Sequence, residues 1–316
     1  MAPFTSGETS WNSPAGQTSA AKAGSGKKTF TVEGVTITHP EREIFPGTGI
    51  SKGDVAIYYA KAMPYMLPFA SKRLISLLRC TAGLGGECFF QRAPLLGARG
   101  PIHSLAVDHN GSTHHYMYVD SPAGIIALVQ MGALEFHGWQ SKITALNKPD
   151  QMIFDFDPAD NVPFEAVKRA AQDVRNRLKD VGLVSFPRLT GGKGIHVVVP
   201  IHPHHGWDAV RAFTMDLAQQ MAHDAPESYI ATMSKEKRKG KIFVDYLRND
   251  FSATGIIPFS LRARAKAPVA VLLAWNELGK IESAAQFHCG NVEQRLNKQT
   301  ENLVHEFLSA RQALKL

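Results

Sequence analysis

The stretch QMIFDFDPAD, residues 151–160, sets the reading of the whole chain. Met152, Ile153 and Phe154 form an apolar run into Asp155, Phe156 and Asp157, and Pro158 stops it. Successive side chains of a strand face opposite sides, so Asp155 and Asp157 point the same way, about 7 Å apart at their Cα atoms, while Phe154 and Phe156 face a core. Two readings are open at this point. A divalent cation between the carboxylates would relieve their repulsion. A strand running out into an acidic turn, with Pro158 and Asp160 as turn residues, gives the same pattern. D-x-D alone does not separate them.

Downstream of Pro158, Phe164, Val167, Ala171, Val174 and Leu178 recur at spacings of three or four and predict an amphipathic helix. GLVSFPRLT reads as a strand, TGGKG as a turn and IHVVVPI as a strand. A second helix is predicted over 208–223, with Val210, Phe213, Leu217 and Met221 on one face. KIFVDYL is a strand after a basic loop, and PFSLRARAK and PVAVLLAW predict two more. The order β-α-β-β-α-β with a further strand pair suits a mixed sheet with helices on one face. That is an α+β class, with a palm-like two-layer core.

Upstream, residues 1–28 are rich in Ser, Gly, Ala and Thr and read as a flexible tail or linker. FTVEGVTIT, from Phe30, alternates like a hairpin, HPEREIFPGTGISKGD reads as a loop, and Ser51 as the N-cap of a helix running through Tyr58 and Tyr59 towards Met66. Strands are expected at 74–80, at 87–91, in SLAVDHN and in HHYMYVD, with a helix in SPAGIIALVQMGA. The domain expected over 29–316 divides into an N-terminal subregion, 29–150, and a catalytic one, 151–316.

The 316 residues, 44% of them hydrophobic, can bury a substantial core. A net charge of +7 favours an anionic partner such as nucleic acid. Cys80, Cys88 and Cys289 form no C-x-x-C pair, and so sparse a set suggests a reducing compartment. With no apolar run of membrane-spanning length and no secretory leader, a soluble intracellular protein is expected. The histidines at 202–205, His114-His115 and His288-Cys289 lack the partner spacing of a structural zinc site.

Asp245 in KIFVDYL repeats the logic of Asp155, an acid on an otherwise apolar strand. Three carboxylates on one sheet can hold two hard cations for displacement at phosphorus, although Asp245 pairing with Arg248 is the plainer account. Gly191, Gly192 and Gly194 permit a tight turn whose N–H groups can face a phosphate, with Lys193 projecting and His196 opening the next strand. A strand follows, so this is no Walker A loop. An ordinary hairpin with a solvated lysine and a core histidine fits too. Lys235, Lys237, Arg238, Lys239 and Lys241 make a basic loop, and strand alternation would put Arg262, Arg264 and Lys266 on one face, poised for phosphates. Phe89 and Phe90 beside Arg92 offer a base-stacking platform, with one phenylalanine expected in the core.

Taken together, DFDP, TGGKGIH, VDYLRN and SLRAR followed by APVA resemble the polymerase domain of bacterial ligase D, in the archaeo-eukaryotic primase superfamily. HPEREIFP, ISKGD, CFFQRAP and LEFHGW extend the likeness from about His39 to the C-terminus. The resemblance implies a primase-type polymerase for non-homologous end joining. It would extend DNA 3′ ends with ribo- or deoxynucleotides by in-line attack of the primer 3′-OH on the α-phosphate, using two Mn²⁺ or Mg²⁺ ions. Asp155, Asp157 and Asp245 match its metal-binding aspartates. Thr190, Gly192, Lys193 and His196 match the turn that meets the triphosphate, and Arg262 a further phosphate contact. His137 matches a histidine near the sugar, and Phe89 and Phe90 match aromatics near the templating base. Lys52 and Arg42 fall where the family reads a 5′-phosphate at a gap, and Arg238 matches a basic residue beside the active site.

Thr190 stands where Ser is usual, keeping the hydroxyl. Leu78 stands where some members carry a phosphate-binding lysine, which shifts that duty to Arg79 or Arg92. The implied partners are DNA ends and gapped duplex with a 5′-phosphate, a Ku-type end-binding protein and a DNA ligase, in the bacterial cytoplasm at the nucleoid, for a monomer without membrane contact. No K-x-D-G or nuclease motif accompanies the domain, so either an excised domain with 1–28 as linker or a stand-alone member is expected. Two rivals remain. A D-x-D phosphatase wants Thr or Val where this chain has Ala159, and a non-catalytic DNA-end-binding or bridging module leaves three strand acids unexplained.

Overall fold

The computed structural model describes residues 29–94, 100–234 and 236–315. The tail expected over 1–28 and Lys235 of the basic loop lie outside the described residues. The chain begins with hairpin β1 (Thr29–Val32) and β2 (Val35–Thr38). A second small hairpin, β3 (Glu43–Phe45) and β4 (Ile50–Ser51), replaces the expected loop. Helix α1 (Lys52–Ala70) starts as predicted: Ser51 Oγ accepts from Asp54 N at 3.2 Å, and Asp54 Oδ2 accepts from Ser51 N at 2.9 Å. It runs four residues beyond Met66, through Pro64 and Pro68.

The first large sheet takes β5 (Leu74–Cys80), β6 (Cys88–Gln91), β7 (His103–His109), β8 (Ser112–Tyr118) and, after α2 (Pro122–Gln130), β9 (Ala133–Trp139). The second takes β10 (Gln151–Pro158), then α3 (Phe164–Asp180), β11 (Phe186–Leu189), β12 (Ile195–Pro200), α4 (Trp207–Asp224), β13 (Tyr229–Ile230) and β14 (Ile242–Asp245). Short β15 (Thr254–Ile256) and β16 (Val271–Leu272) precede the C-terminal α5 (Lys298–Ser309).

The second sheet runs β13-β14-β10-β12-β11-β16, antiparallel except for β13 with β14. Helices α3 and α4 touch each other and pack against it. They cover the face holding Phe154 and Phe156, both fully buried, so the acids of β10 are left on the other face. This is the α+β palm that the alternation predicts. The first sheet runs β15-β9-β5-β8-β7 with β6 on β5, so the late strand β15 joins the N-terminal sheet. One hydrophobic cluster draws on both sheets and on α1.

Three expectations are corrected. SLRARAK is no strand: it is a bent loop with isolated bridges at Leu261 and Pro268, and Lys266 and Ala267 have φ of 66° and 48°. Alternation therefore does not govern it. Both Phe89 and Phe90 are exposed, at 41% and 46%, because β6 is an edge strand with both faces open. And Cys80 is disulfide-bonded to Cys88, its register partner on β6. The sparse cysteine set therefore does not place the protein in a reducing compartment, because pairing follows strand register and not C-x-x-C spacing. Among the described residues no helix is long and apolar enough to cross a membrane.

Asn249 completes the palm where β14 stops short. β14 pairs with β10 only from Asp155 onwards, leaving Ile153 without a strand on that side. The fully buried Asn249 takes its place: Oδ1 accepts from Ile153 N and Nδ2 donates to Ile153 O, both at 2.7 Å. Asn249→Ala strands two buried backbone groups, and about 2–4 kcal/mol of stability should be lost. Urea unfolding measures it; an unchanged midpoint would rule out this strand-substituting role.

Candidate active site

The register of the palm strands sets a row of four polar side chains straight across them. Arg188 on β11 faces His196 on β12, His196 faces Asp155 on β10, and Asp155 faces Asp245 on β14. Directly opposed residues share a face, so the row shares its face with Asp157, two residues beyond Asp155. Asp155, Asp157 and Asp245 each bring a carboxylate oxygen within 4.8 Å of the other two. Asp155 and Asp245 are 3% and 8% exposed; Asp157, at the strand end, is more open.

Holding three carboxylates together is costly, and their acidities record it. Burial and the neighbouring Asp155 carboxylate push Asp157 up to about 7. Burial and Asp155 raise Asp245 as well. Asp155 goes the other way: burial alone would raise it, but His196 and Arg248 outweigh burial and hold it below the carboxylate range. Arg248 Nε donates to Asp155 Oδ2 at 3.1 Å and lies 3.7 Å from Asp245 Oδ2. The Asp245–Arg248 pairing weighed from the sequence is therefore present, with Arg248 shared between two acids. His196 Nε2 lies 3.3 Å from the same Asp155 oxygen. The buried Arg188 donates from Nη2 to His196 Nδ1 at 2.8 Å, so that nitrogen is the acceptor and the ring proton sits on Nε2.

Asp155 and Asp157 open into a cleft of about 530 Å³ that is also lined by Lys193, Arg238, Arg248, Arg262 and Arg264, with His137 and His196. The glycine turn is built for close approach. A Cβ at Gly194 would meet the Phe156 carbonyl at 2.4 Å, and Gly191 has φ +66°. Thr190 Oγ1 closes the turn, donating to Gly194 O at 2.9 Å and accepting from Gly192 N at 3.3 Å. Lys193 reaches Asp160 at 2.5 Å, in the open. Arg262 Nη1 donates to Thr190 O at 2.5 Å, and its Nε lies 3.0 Å from Glu135 Oε2. Arg238 stacks over Phe243, 3.8 Å from the ring centre. Of the three cations expected in a row, Arg262 and Arg264 line the cleft and Lys266 does not.

The β5–β6 hairpin presents the aromatic pair. Arg79 lies over Phe89 at 5.2 Å, Arg92 over Phe90 at 6.0 Å, and Phe90 meets the His137 ring edge-on at 5.3 Å. Arg79 also donates to Met131 O and Gln91 Oε1. Arg42 and Lys52 line a separate pocket of about 280 Å³ that contains no acidic residue, and Arg79 and Arg92 lie outside it. Lys52 Nζ donates to Gln130 Oε1 at 2.7 Å and to Thr38 O at 3.1 Å. Burial and Arg42 lower its pKa to about 8.

Four residues of these sites escape a linear reading: Arg248 as a shared partner, Arg188, Glu135 and Gln130. Signals for two of them exist. Glu135 stands two residues before His137 on one strand, hence on the same face, and Arg188 is the lone charge in FPRL.

Residues 51–303 match the family described as LigD, primase-polymerase domain. The chain is 35% identical over 281 residues to the multifunctional non-homologous end joining protein LigD of Pseudomonas aeruginosa, covering 88% of this chain and 33% of that protein. It is 28% identical over 263 residues to the bifunctional non-homologous end joining protein LigD of Bacillus subtilis, covering 83% and 42%. The chain therefore spans about a third to two-fifths of the length of these curated relatives. The solved polymerase domain from Mycobacterium tuberculosis ligase D, in complex with DNA, superposes with a TM-score of 0.80 at 29% identity, covering 87% of this chain and 99% of that one. A match over most of the sequence, carried by the same fold, makes this chain a member of the LigD primase-polymerase domain family.

Proposed function

We propose that the chain is a metal-dependent nucleotidyltransferase that extends DNA 3′ ends with ribo- or deoxynucleotides, filling gaps and processing ends in double-strand break repair by end joining. The observation that carries this is the meeting of three carboxylates from two adjacent strands, within 4.8 Å, beneath a cationic cleft. The donor set fits hard divalent cations: all ligand atoms are carboxylate oxygens, and two of the acids are raised by burial and by a repulsion that a cation would relieve. Mn²⁺ or Mg²⁺ held by Asp155, Asp157 and Asp245 would supply Lewis-acid activation and neutralise charge developing at phosphorus.

The chain's own groups supply the rest. The Leu247 N–H donates to Asp245 Oδ1 at 2.7 Å and aims that carboxylate. Lys193, His196 and Arg262, with the N–H groups of the Thr190–Gly192 turn, receive the triphosphate, and His137 faces the sugar. Phe89 and Phe90, exposed and bracketed by Arg79 and Arg92, stack on bases. Arg238 and Arg248 screen the acids from the side. In the second pocket Lys52 and Arg42 bind the 5′-phosphate of a gap, two cations with no competing carboxylate. Duplex ends, a Ku-type protein and a ligase are the partners this role requires, in the bacterial cytoplasm.

A gapped duplex with Mn²⁺ and nucleotides tests the reading. The wild type should extend the primer, and Asp155→Ala with Asp157→Ala should lower the rate by at least about 10³-fold. Wild-type protein that binds DNA but adds no nucleotide would favour a bridging module. Preference for a phosphorylated over a hydroxyl downstream end should fall about tenfold or more in Lys52→Ala; equal preference in both proteins would remove Lys52 from the role. The same preference has a pH signature. The lysine must be charged to attract phosphate, and its lowered pKa is about 8. The preference should thus be full below pH 7 and fade as pH rises through about 8. A flat profile to pH 9.5, where a lysine titrating at about 8 is almost wholly neutral and a free one at about 10.4 is still mostly charged, would contradict it.

A further inference from the structure

Glu135 lines no part of the cleft, yet it holds two residues that do. It sits on β9, 3% exposed, one residue from the core side chain Phe136. Oε2 accepts from His137 Nε2 at 2.8 Å and lies 3.0 Å from Arg262 Nε. Oε1 accepts from Ala263 N at 2.8 Å. A carboxylate only accepts, so the His137 ring proton is on Nε2 and Nδ1 is left without a partner among the described residues. Arg262 in turn donates to Thr190 O, so one buried carboxylate links a strand of the first sheet to the glycine turn of the second. Burial alone would raise its pKa; the His137 hydrogen bond and Arg262 bring it down to about 2, so it is charged throughout the physiological range.

We propose that Glu135 is a positioning residue for the nucleotide: it orients His137 and holds Arg262 against the Thr190 turn, so that both face the cleft before a triphosphate arrives. This rests on the nucleotidyltransferase reading above. A purely structural role would need only the Ala263 contact. The carboxylate's other oxygen is spent on two cleft-lining side chains, and a preset guanidinium loses less freedom when it meets phosphate. An amide cannot do the same work. With its NH₂ at the Oε2 position it faces the His137 and Arg262 donors, and flipped it faces the Ala263 N–H.

The test is ATP affinity with Mn²⁺, measured by calorimetry without turnover, beside primer extension. Glu135→Gln should weaken ATP binding about 10- to 100-fold, with the loss appearing in KM more than in kcat. In an Arg262→Ala background, Glu135→Gln should cost less than it does in the wild type, because part of its action runs through the arginine. Glu135→Asp keeps the charge and withdraws it by one methylene; it should fold and show a smaller loss of the same kind, which covers the case in which Glu135→Gln does not fold. ATP binding at the wild-type level in both variants, or fully additive losses with Arg262→Ala, would overturn the assignment. If the wild type binds ATP but extends no primer, the polymerase reading fails while the binding data still decide the role of Glu135.

Discussion

The pairing of Asp155 with Asp245 across β10 and β14 is the constraint on which the rest of the structure depends. Opposed like charges on a sheet repel, and here both are nearly buried. Such an arrangement survives only if the opposite face is packed firmly enough to hold it. Phe154 and Phe156, which flank Asp155 on β10 and are fully buried on the side of α3 and α4, provide that anchoring. The neighbouring cations follow from the same need. Arg248 is shared by two acids, His196 contributes an N–H, and Arg188 holds His196 from behind. Among the described residues Arg188 has no carboxylate partner within ion-pair distance, and its Nε is buried without an acceptor. A buried cation so poorly satisfied adds little stability of its own. Its place in the row is explained by the acids.

The first sheet supplies the opposite wall. β15 leaves the palm sequence and pairs with β9, which brings Thr254, Gly255 and Ile256 to the cleft beside His137. Glu135, Arg262 and Thr190 then tie the two walls together through one ion pair and one hydrogen bond. Asp155 and Asp245 are nearly buried on one wall, and the cleft is lined by five Lys and Arg side chains beside Asp155 and Asp157. That surplus of positive charge favours an anionic ligand, independent of any particular base.

What was legible in the sequence was what local rules govern. Alternation placed Asp155 and Asp157 on one face and the phenylalanines on the other, because strand period is a property of the chain alone. Ser51 announced the start of α1 for the same reason. SLRARAK failed because alternation was applied where Phe259, Lys266 and Ala267 adopt positive φ, which no apolar–polar pattern records. The exposure of both phenylalanines depends on β6 having one neighbour, a fact of sheet order. The Cys80–Cys88 bond likewise depends on register. Glu135 and Arg248 acquire meaning only when strands distant in sequence lie side by side.

The cations of the cleft differ in how firmly they are held. Arg262 is pinned by Glu135 and Thr190, so its position is set before any ligand binds. Lys193 is paired with Asp160 where the two side chains are 63% and 92% exposed. An ion pair so open to solvent contributes little, and a charge-assisted bond to phosphate would outweigh it. Lys193 therefore exchanges its partner readily while Arg262 does not. If the cleft takes a triphosphate as proposed, the fixed guanidinium would set where its phosphates lie and the loosely tethered ammonium would close on them afterwards.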